Sequence, residues 1–370
     1  MVMLQHHAER MVLLAEGRLS SIGARMVIAS LLYIPERVVA VIDSTKERGT
    51  ANEAVGFGGD TPIVHSIEEA LAYNPDSLLI GITPLGGQLP ESWRRITREA
   101  AAAGLHIISG MKATLSQDPE LAGIARMNNA LMFDMLSVSN SHQIRAQGSW
   151  RRRTAKTILT VGTDSNTGKM TTALLMHREM QKRGINSTLI GTGPTGILIS
   201  GRGIAVEAVT SDFLEGALEF EVDRAIDEGY EYILVEGQSA ITNCGSSAIA
   251  MGLLHGVMPD AMILCHQPSR EVDGYGLPLP SLSSSISLHE SLIGVFKPAR
   301  VAAIGLNSID LHREELRLVN ERIKAETGLP SADPLRETPG ILVDAVLEYF
   351  SKYTRIALPD SASEIRDRLY

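Results

Sequence analysis

Short apolar runs alternate with longer amphipathic stretches along most of the chain. Met11–Ala15, Arg37–Ile42, Pro62–Val64, Ser77–Ile82 and His106–Ser109 read as strands. Ile22–Tyr33, Ser66–Tyr73 and Pro90–Gly104 read as helices between them, the second with Ser66 as N-cap and Glu69 completing a capping box. Beyond residue 156 the rhythm resumes. Thr157–Val161, Ser187–Ile190, Tyr232–Val235, Ala261–Cys265 and Val301–Gly305 read as strands. Gly168–Arg183, Asp212–Glu228, Ser246–His255, Ile309–Thr327 and Gly340–Phe350 read as helices. Continuous apolar strands alternating with helices predict α/β units, each a parallel sheet covered on both faces. Residues 136–156 are polar and break the pattern, so they read as a linker between a Rossmann-like domain (1–135) and a second α/β domain (157–350). Residues 351–370 read as a C-terminal extension, and Pro268–Ser287, rich in Gly, Pro and Ser, as a long loop.

Ligands of such folds sit at the carboxyl ends of strands, and one strand end stands out. Ile158–Val161 runs into Gly162-Thr163-Asp164-Ser165-Asn166-Thr167-Gly168-Lys169, and a helix follows from Met170. Strand, glycine-bearing turn, lysine and helix start form a phosphate cradle of backbone N–H groups, helix dipole and ammonium. In the commonest form of this loop the residue after the lysine is a hydroxyl that holds Mg²⁺. Here it is Met170, with Thr171 beyond it. Tyr232–Val235 ends in Glu236-Gly237-Gln238, placing a carboxylate where P-loop domains often hold a metal or a base. Gly191–Gly196 contains three glycines that let backbone approach a ligand; Gly193 and Thr195 are substrate-loop candidates, as are Gly237 and Gln238. His266 closes another strand as a possible acid–base, and Arg270 follows as a possible partner for a carboxylate or phosphate. In the first domain, Asp43, Thr83–Gly87 and Gly110–Lys112 lie at strand ends; Thr83–Gly87 suits a ligand loop and an ordinary turn equally.

Composition narrows the classes. The 370 residues carry a net charge of −9 and a pI near 5.6, which argues against a nucleic-acid surface. Arg151–Arg153 with Lys156 is either a solvated linker or an anion-attracting patch. Two cysteines outside any CxxC pair fit a reducing cytoplasm and argue against structural zinc. No apolar run reaches the length of a membrane span.

The Gly-Thr-Asp-Ser-x-x-Gly-Lys stretch resembles the P-loop of dethiobiotin synthetase-like enzymes, and the rhythm of the first domain resembles the CoA-binding module of acyl-CoA synthetases. As a whole, the chain resembles a family long catalogued as a domain of unknown function, whose characterised members are D-glutamate N-acetyltransferases of the DgcN type. The resemblance rests on 161–171 (VGTDSNTGKMT), 192–219, 233–238 (ILVEGQ) and 252–270. It implies a P-loop domain behind a Rossmann-like one, and acetyl transfer from acetyl-CoA to the amine of an acidic amino acid. Glu236 or His266 would be the base, and Arg270 would hold the acceptor's carboxylate. A homo-oligomer is expected on general grounds, because large α/β enzymes commonly form symmetric ones. Ser239–Cys244, Pro194 and Leu136 depart from the family pattern at substrate-facing loops. The alternative is a ligase or kinase using ATP with Mg²⁺, held by Thr171 and Glu236.

Overall fold

The computed structural model describes residues 7–20, 24–82 and 89–352. The first half of the chain forms β1 (Met11–Leu14), α1 (Arg25–Tyr33), β2 (Val38–Ile42), β3 (Gly49–Thr50), α2 (Ala51–Val55), β4 (Pro62–Val64), α3 (Ile67–Leu71) and β5 (Ser77–Ile80). It continues with α4 (Glu91–Ala102), β6 (His106–Ser109), α5 (Pro119–Met127) and β7 (Met132–Asp134). These strands build a seven-stranded sheet in the order β3-β4-β2-β1-β5-β6-β7. Every neighbouring pair is parallel except β3 with β4. The strands MVLL of β1 and SLLI of β5 are buried throughout, as two-faced coverage requires.

The second half forms β8 (Lys156–Gly162), α6 (Lys169–Lys182), β9 (Ser187–Ile190), α7 (Pro194–Ser200), α8 (Leu214–Asp227), β10 (Tyr232–Val235) and α9 (Ser247–Val257). After it come β11 (Ala261–His266), α10 (Leu282–Gly294), β12 (Arg300–Leu306), α11 (Arg313–Thr327), β13 (Ser331–Ala332) and α12 (Gly340–Lys352). Their six strands are all parallel, in the order β13-β12-β11-β8-β10-β9. The P-loop strand β8 is central, flanked by β10 and β11. Strand order reverses at β8, which is where open α/β sheets leave a crevice.

The two sheets are joined by packing as well as by chain. Ile197, Leu198 and Ala205 extend the apolar core of the first unit, while Ala29 and Tyr33 of α1 belong to a core of the second. The polar stretch 136–156 is held along α8. Buried Glu219 accepts from the backbone N–H of Gln147 and of Ser149. Glu221 pairs with His142 Nε2 at 2.8 Å. Arg153 is buried, donating to Asp223 at 2.8 Å and to the Val257 carbonyl at 2.6 Å. Of the basic run, that side chain is structural: the anion it meets is the protein's own Asp223.

Several expectations need correction. The last part of the predicted loop Pro268–Ser287 is helix: Ser281 caps α10, accepting from Ser284 N–H at 3.1 Å, so the loop ends there. Gly191–Gly196 is not a free loop, because Pro194 occupies the first turn of α7. The predicted box at Ser66 is half formed: Ser66 caps Glu69 N–H, but the Glu69 carboxylate reaches His65 N–H. A complete box is found instead at Thr50 and Glu53. Ile309 is 75% exposed in a turn, and α11 begins only at Arg313. The Thr83–Gly87 stretch and the residues after 352 lie outside the described residues.

Candidate functional site

The P-loop turns from the end of β8 into α6 through Asn166 (φ +59°) and Gly168 (φ +92°), the latter a left-handed position that favours glycine. Lys169, the first residue of α6, is only 5% exposed. Its ammonium lies inside the loop, donating to the Asp164 carbonyl at 2.7 Å and to Thr167 Oγ1 at 3.3 Å. Burial pulls its pKa down to about 8. A cation seated within a ring of backbone amides at a helix start is a site for phosphate oxygens.

Glu236 follows β10, one strand away. Its Oε2 accepts from Thr192 N–H at 2.8 Å and Gly193 N–H at 3.3 Å, and Gln238 Nε2 lies 3.3 Å from Oε1. Burial drives its pKa up to about 7, against the two N–H bonds and the Lys169 ammonium. Gly196 makes room for it: a Cβ there would stand 2.0 Å from Glu236 Oε2. Two groups whose pKa values are moved toward neutrality from opposite sides, at adjacent strand ends, mark a chemical site.

A cleft of about 560 Å³ opens beside the P-loop, between Asp164, Ser165 and Asn166 on one side and Arg270, Asp273 and Tyr275 on the other. Asp164 is its buried anchor. It accepts from Asn243 Nδ2 at 3.0 Å and from Arg270 Nη1 at 2.9 Å. Arg270 also donates to the Ser165 carbonyl at 2.6 Å and Gln267 Oε1 at 2.6 Å. The expected carboxylate-binding arginine is thus committed to tying the long loop to the P-loop. His266 lies half-buried beside it, with Nδ1 3.1 Å from Thr163 Oγ1, and desolvation lowers its pKa to about 4. The structure therefore gathers Gly162–Lys169, Glu236, Gly237, Gln238 and Gly193 around two neighbouring strand ends. Thr195 lies within α7, while Glu236 and His266 do not line the open cleft. Asn243, Ser246, Asp273 and Tyr275 do line it, and none stood out as a site residue in the sequence. Their signals were position, since residues 239–244 and the long loop follow strand ends, and for Asn243 the departure of Ser239–Cys244 from the family pattern.

Magnesium does not fit the residues proposed for it. Met170 offers a thioether where a hydroxyl is needed. The Thr171 hydroxyl is engaged with Tyr33 Oη at 2.7 Å. Oε2 of Glu236 is turned to two amides.

A central P-loop strand in a parallel sheet, joined to a second parallel sheet, defines a P-loop NTPase-like domain paired with a Rossmann-like one. The chain belongs to the DUF1611 family. Residues 144–343 match its P-loop domain, and residues 44–137 match its N-terminal Rossmann-like domain. It is similar to a D-glutamate N-acetyltransferase of Tritonibacter scottomollicae, 36% identical over 76% of this chain and 84% of the relative. A second D-glutamate N-acetyltransferase, from a Pseudoalteromonas species, is 32% identical over 74% of this chain and 81% of that one. The crystal structure of a DUF1611 family protein from Anabaena variabilis superposes with a TM-score of 0.86 at 32% identity, covering 92% of this chain and 99% of that one.

Proposed function

We propose that the protein is an N-acetyltransferase that moves acetyl from acetyl-CoA to the amine of D-glutamate or a close acidic analogue. The observation that carries this reading is similarity over three quarters of the chain to two relatives of that name. The site supports it physically. Coenzyme A presents a pyrophosphate and a 3′-phosphate, which the P-loop amides and Lys169 suit. Acetyl transfer needs no metal, in keeping with Met170 and the engaged Thr171.

An ammonium acceptor must lose a proton before it attacks the thioester carbonyl. A carboxyl with a pKa about 7 takes that proton near neutral pH, which makes Glu236 the base. The N–H groups of Gln238, Ser239 and Ala240 have no backbone partner among the described residues, and they are the donors for the oxyanion. Arg270 serves by fixing Asp164 and the loop, not by binding the acceptor. The test is release of free CoA thiol from acetyl-CoA on adding D-glutamate, without nucleotide or metal. Mg²⁺-dependent ATP turnover with no thiol release would replace this reading by the ligase or kinase one.

A further inference from the structure

A second, water-sized space lies under the P-loop, and its one ionisable wall is His289 of α10. The space has a volume of about 10 Å³ and lies between Gly162 at the root of the P-loop and Gly237, Gln238 and Ser239 just after Glu236. His289 is 3% exposed. Its Nδ1 is 2.7 Å from the carbonyl oxygen of Ser285, one turn back on the same helix. A carbonyl can only accept, so Nδ1 carries the hydrogen. Burial, with the Lys169 ammonium as a lesser cause, lowers the imidazole pKa and outweighs the Ser285 bond. The ring is neutral, and the one hydrogen bond it makes among the described residues is through Nδ1, which leaves Nε2 as an acceptor. His289 lines the space, and with Nδ1 turned back on its own helix Nε2 is the ring nitrogen left to serve it. Nearby acids are engaged elsewhere: Glu290 pairs with Arg300, and Glu326 accepts from Ser283 N–H. Ser239, on the opposite wall, holds a left-handed backbone (φ +56°), a strain that concentrates at working sites.

We propose that this space holds one water, and that His289 withdraws the second amine proton of acyl transfer through it. The inference rests on the acetyl-transfer reading above. Acylating an ammonium removes two protons from nitrogen, and Glu236 accounts for only the first. In the second step the amine lone pair forms the C–N bond, and the carbonyl π pair moves to oxygen. The nitrogen then gives its proton to the water while the water gives one to Nε2. The C=O re-forms, the C–S bond breaks, and the imidazolium returns its proton through the same water to the CoA thiolate. The products are amide and thiol, His289 ends neutral, and Glu236 releases the first proton to solvent, so one H⁺ is produced per turnover.

The test compares wild type with His289→Gln, using the full chain, acetyl-CoA and D-glutamate. We expect kcat to fall about 10²-fold, with acetyl-CoA affinity and Tm unchanged. The dependence of wild-type kcat on deuterium fraction should be curved, as for a two-proton relay, and become linear in the variant. Nitrogen NMR of wild type should report His289 neutral and protonated at Nδ1. A high-resolution crystal structure should show a water within about 3 Å of Nε2. An active wild type with unimpaired His289→Gln overturns the relay alone. An imidazolium at neutral pH, or no water at Nε2, overturns it even if the variant fails to fold. A wild type that transfers no acetyl group overturns the reading beneath it and the relay together.

Discussion

Asp43 and Glu236 occupy equivalent places in the two sheets. Each is a buried carboxylate just past a parallel strand, β2 in one case and β10 in the other. Their surroundings differ. Asp43 accepts from Gly17 N–H, Leu19 N–H, Thr45 N–H and the Thr45 hydroxyl. Its oxygens are occupied by the loop it ties together. Glu236 has two amide donors on one oxygen and a single amide nitrogen at 3.3 Å from the other, and it stays near the protonation threshold. Burial at a strand end does not by itself make a chemical group. What separates them is how much of the lone-pair capacity the fold has already used.

The strongest way to sharpen the contrast is Lys169→Ala. It removes the only ammonium inside the P-loop among the described residues, and acetyl-CoA binding should weaken about 10³-fold, about 4 kcal/mol. Titration calorimetry reads it directly. The wild-type affinity should itself decline as pH rises through about 8, where the ammonium is lost. Asp43→Ala comes next and should act only on folding. It strands three backbone N–H groups and a hydroxyl, at a cost of about 3 kcal/mol. A denaturant midpoint that drops while kcat per folded molecule holds is the expected pair. A collapse in kcat at full stability would erase the distinction between the two acids.

Glu236→Gln should do the reverse, lowering kcat about 10²-fold. The raised pKa also fixes a sign for stability. A folded-state value of about 7 against an ordinary 4.5 means its contribution is fully present below pH 4.5 and is lost as pH rises toward 7. That loss is on the order of 3 kcal/mol. Glu236→Gln should therefore flatten the fall in Tm over this window and leave a more stable, less active protein above pH 7.

Much of this contrast was legible in sequence. β9, β10 and the P-loop follow from apolar runs ending in Gly, Glu or Lys. The elements that escaped were those whose signals compete. Asp118-Pro119 is a clear helix start, with the Asp118 side chain accepting from Glu120 and Leu121 N–H, but α5 is short and weakly apolar. Serine clusters masked α10, and with it His289, because serine serves caps and loops as readily as helix surfaces. The site's polar network was illegible for another reason. Asn243, Asp164 and Arg270 are 79 and 106 residues apart in pairs, and only tertiary packing brings them together.

The smallest expected effect concerns how the two sheets communicate. Tyr33 ends α1 of the first unit, and its hydroxyl meets Thr171 in the first turn of the P-loop helix. Arg178 of that helix donates to the Tyr33 carbonyl at 2.5 Å. Burial raises the phenol pKa, so the ring stays neutral and its hydrogen remains available to Thr171. Tyr33→Phe keeps the ring's packing and deletes one oxygen, which should cost about 1 kcal/mol. If the contact is only structural, the cost appears in the denaturant midpoint and nowhere else. If α1 also holds Thr171 and the start of α6 in place, acetyl-CoA affinity should fall with it by a few-fold. Thr171→Val, which removes the same bond from the other side, should then give the same loss, with no further loss in the double variant.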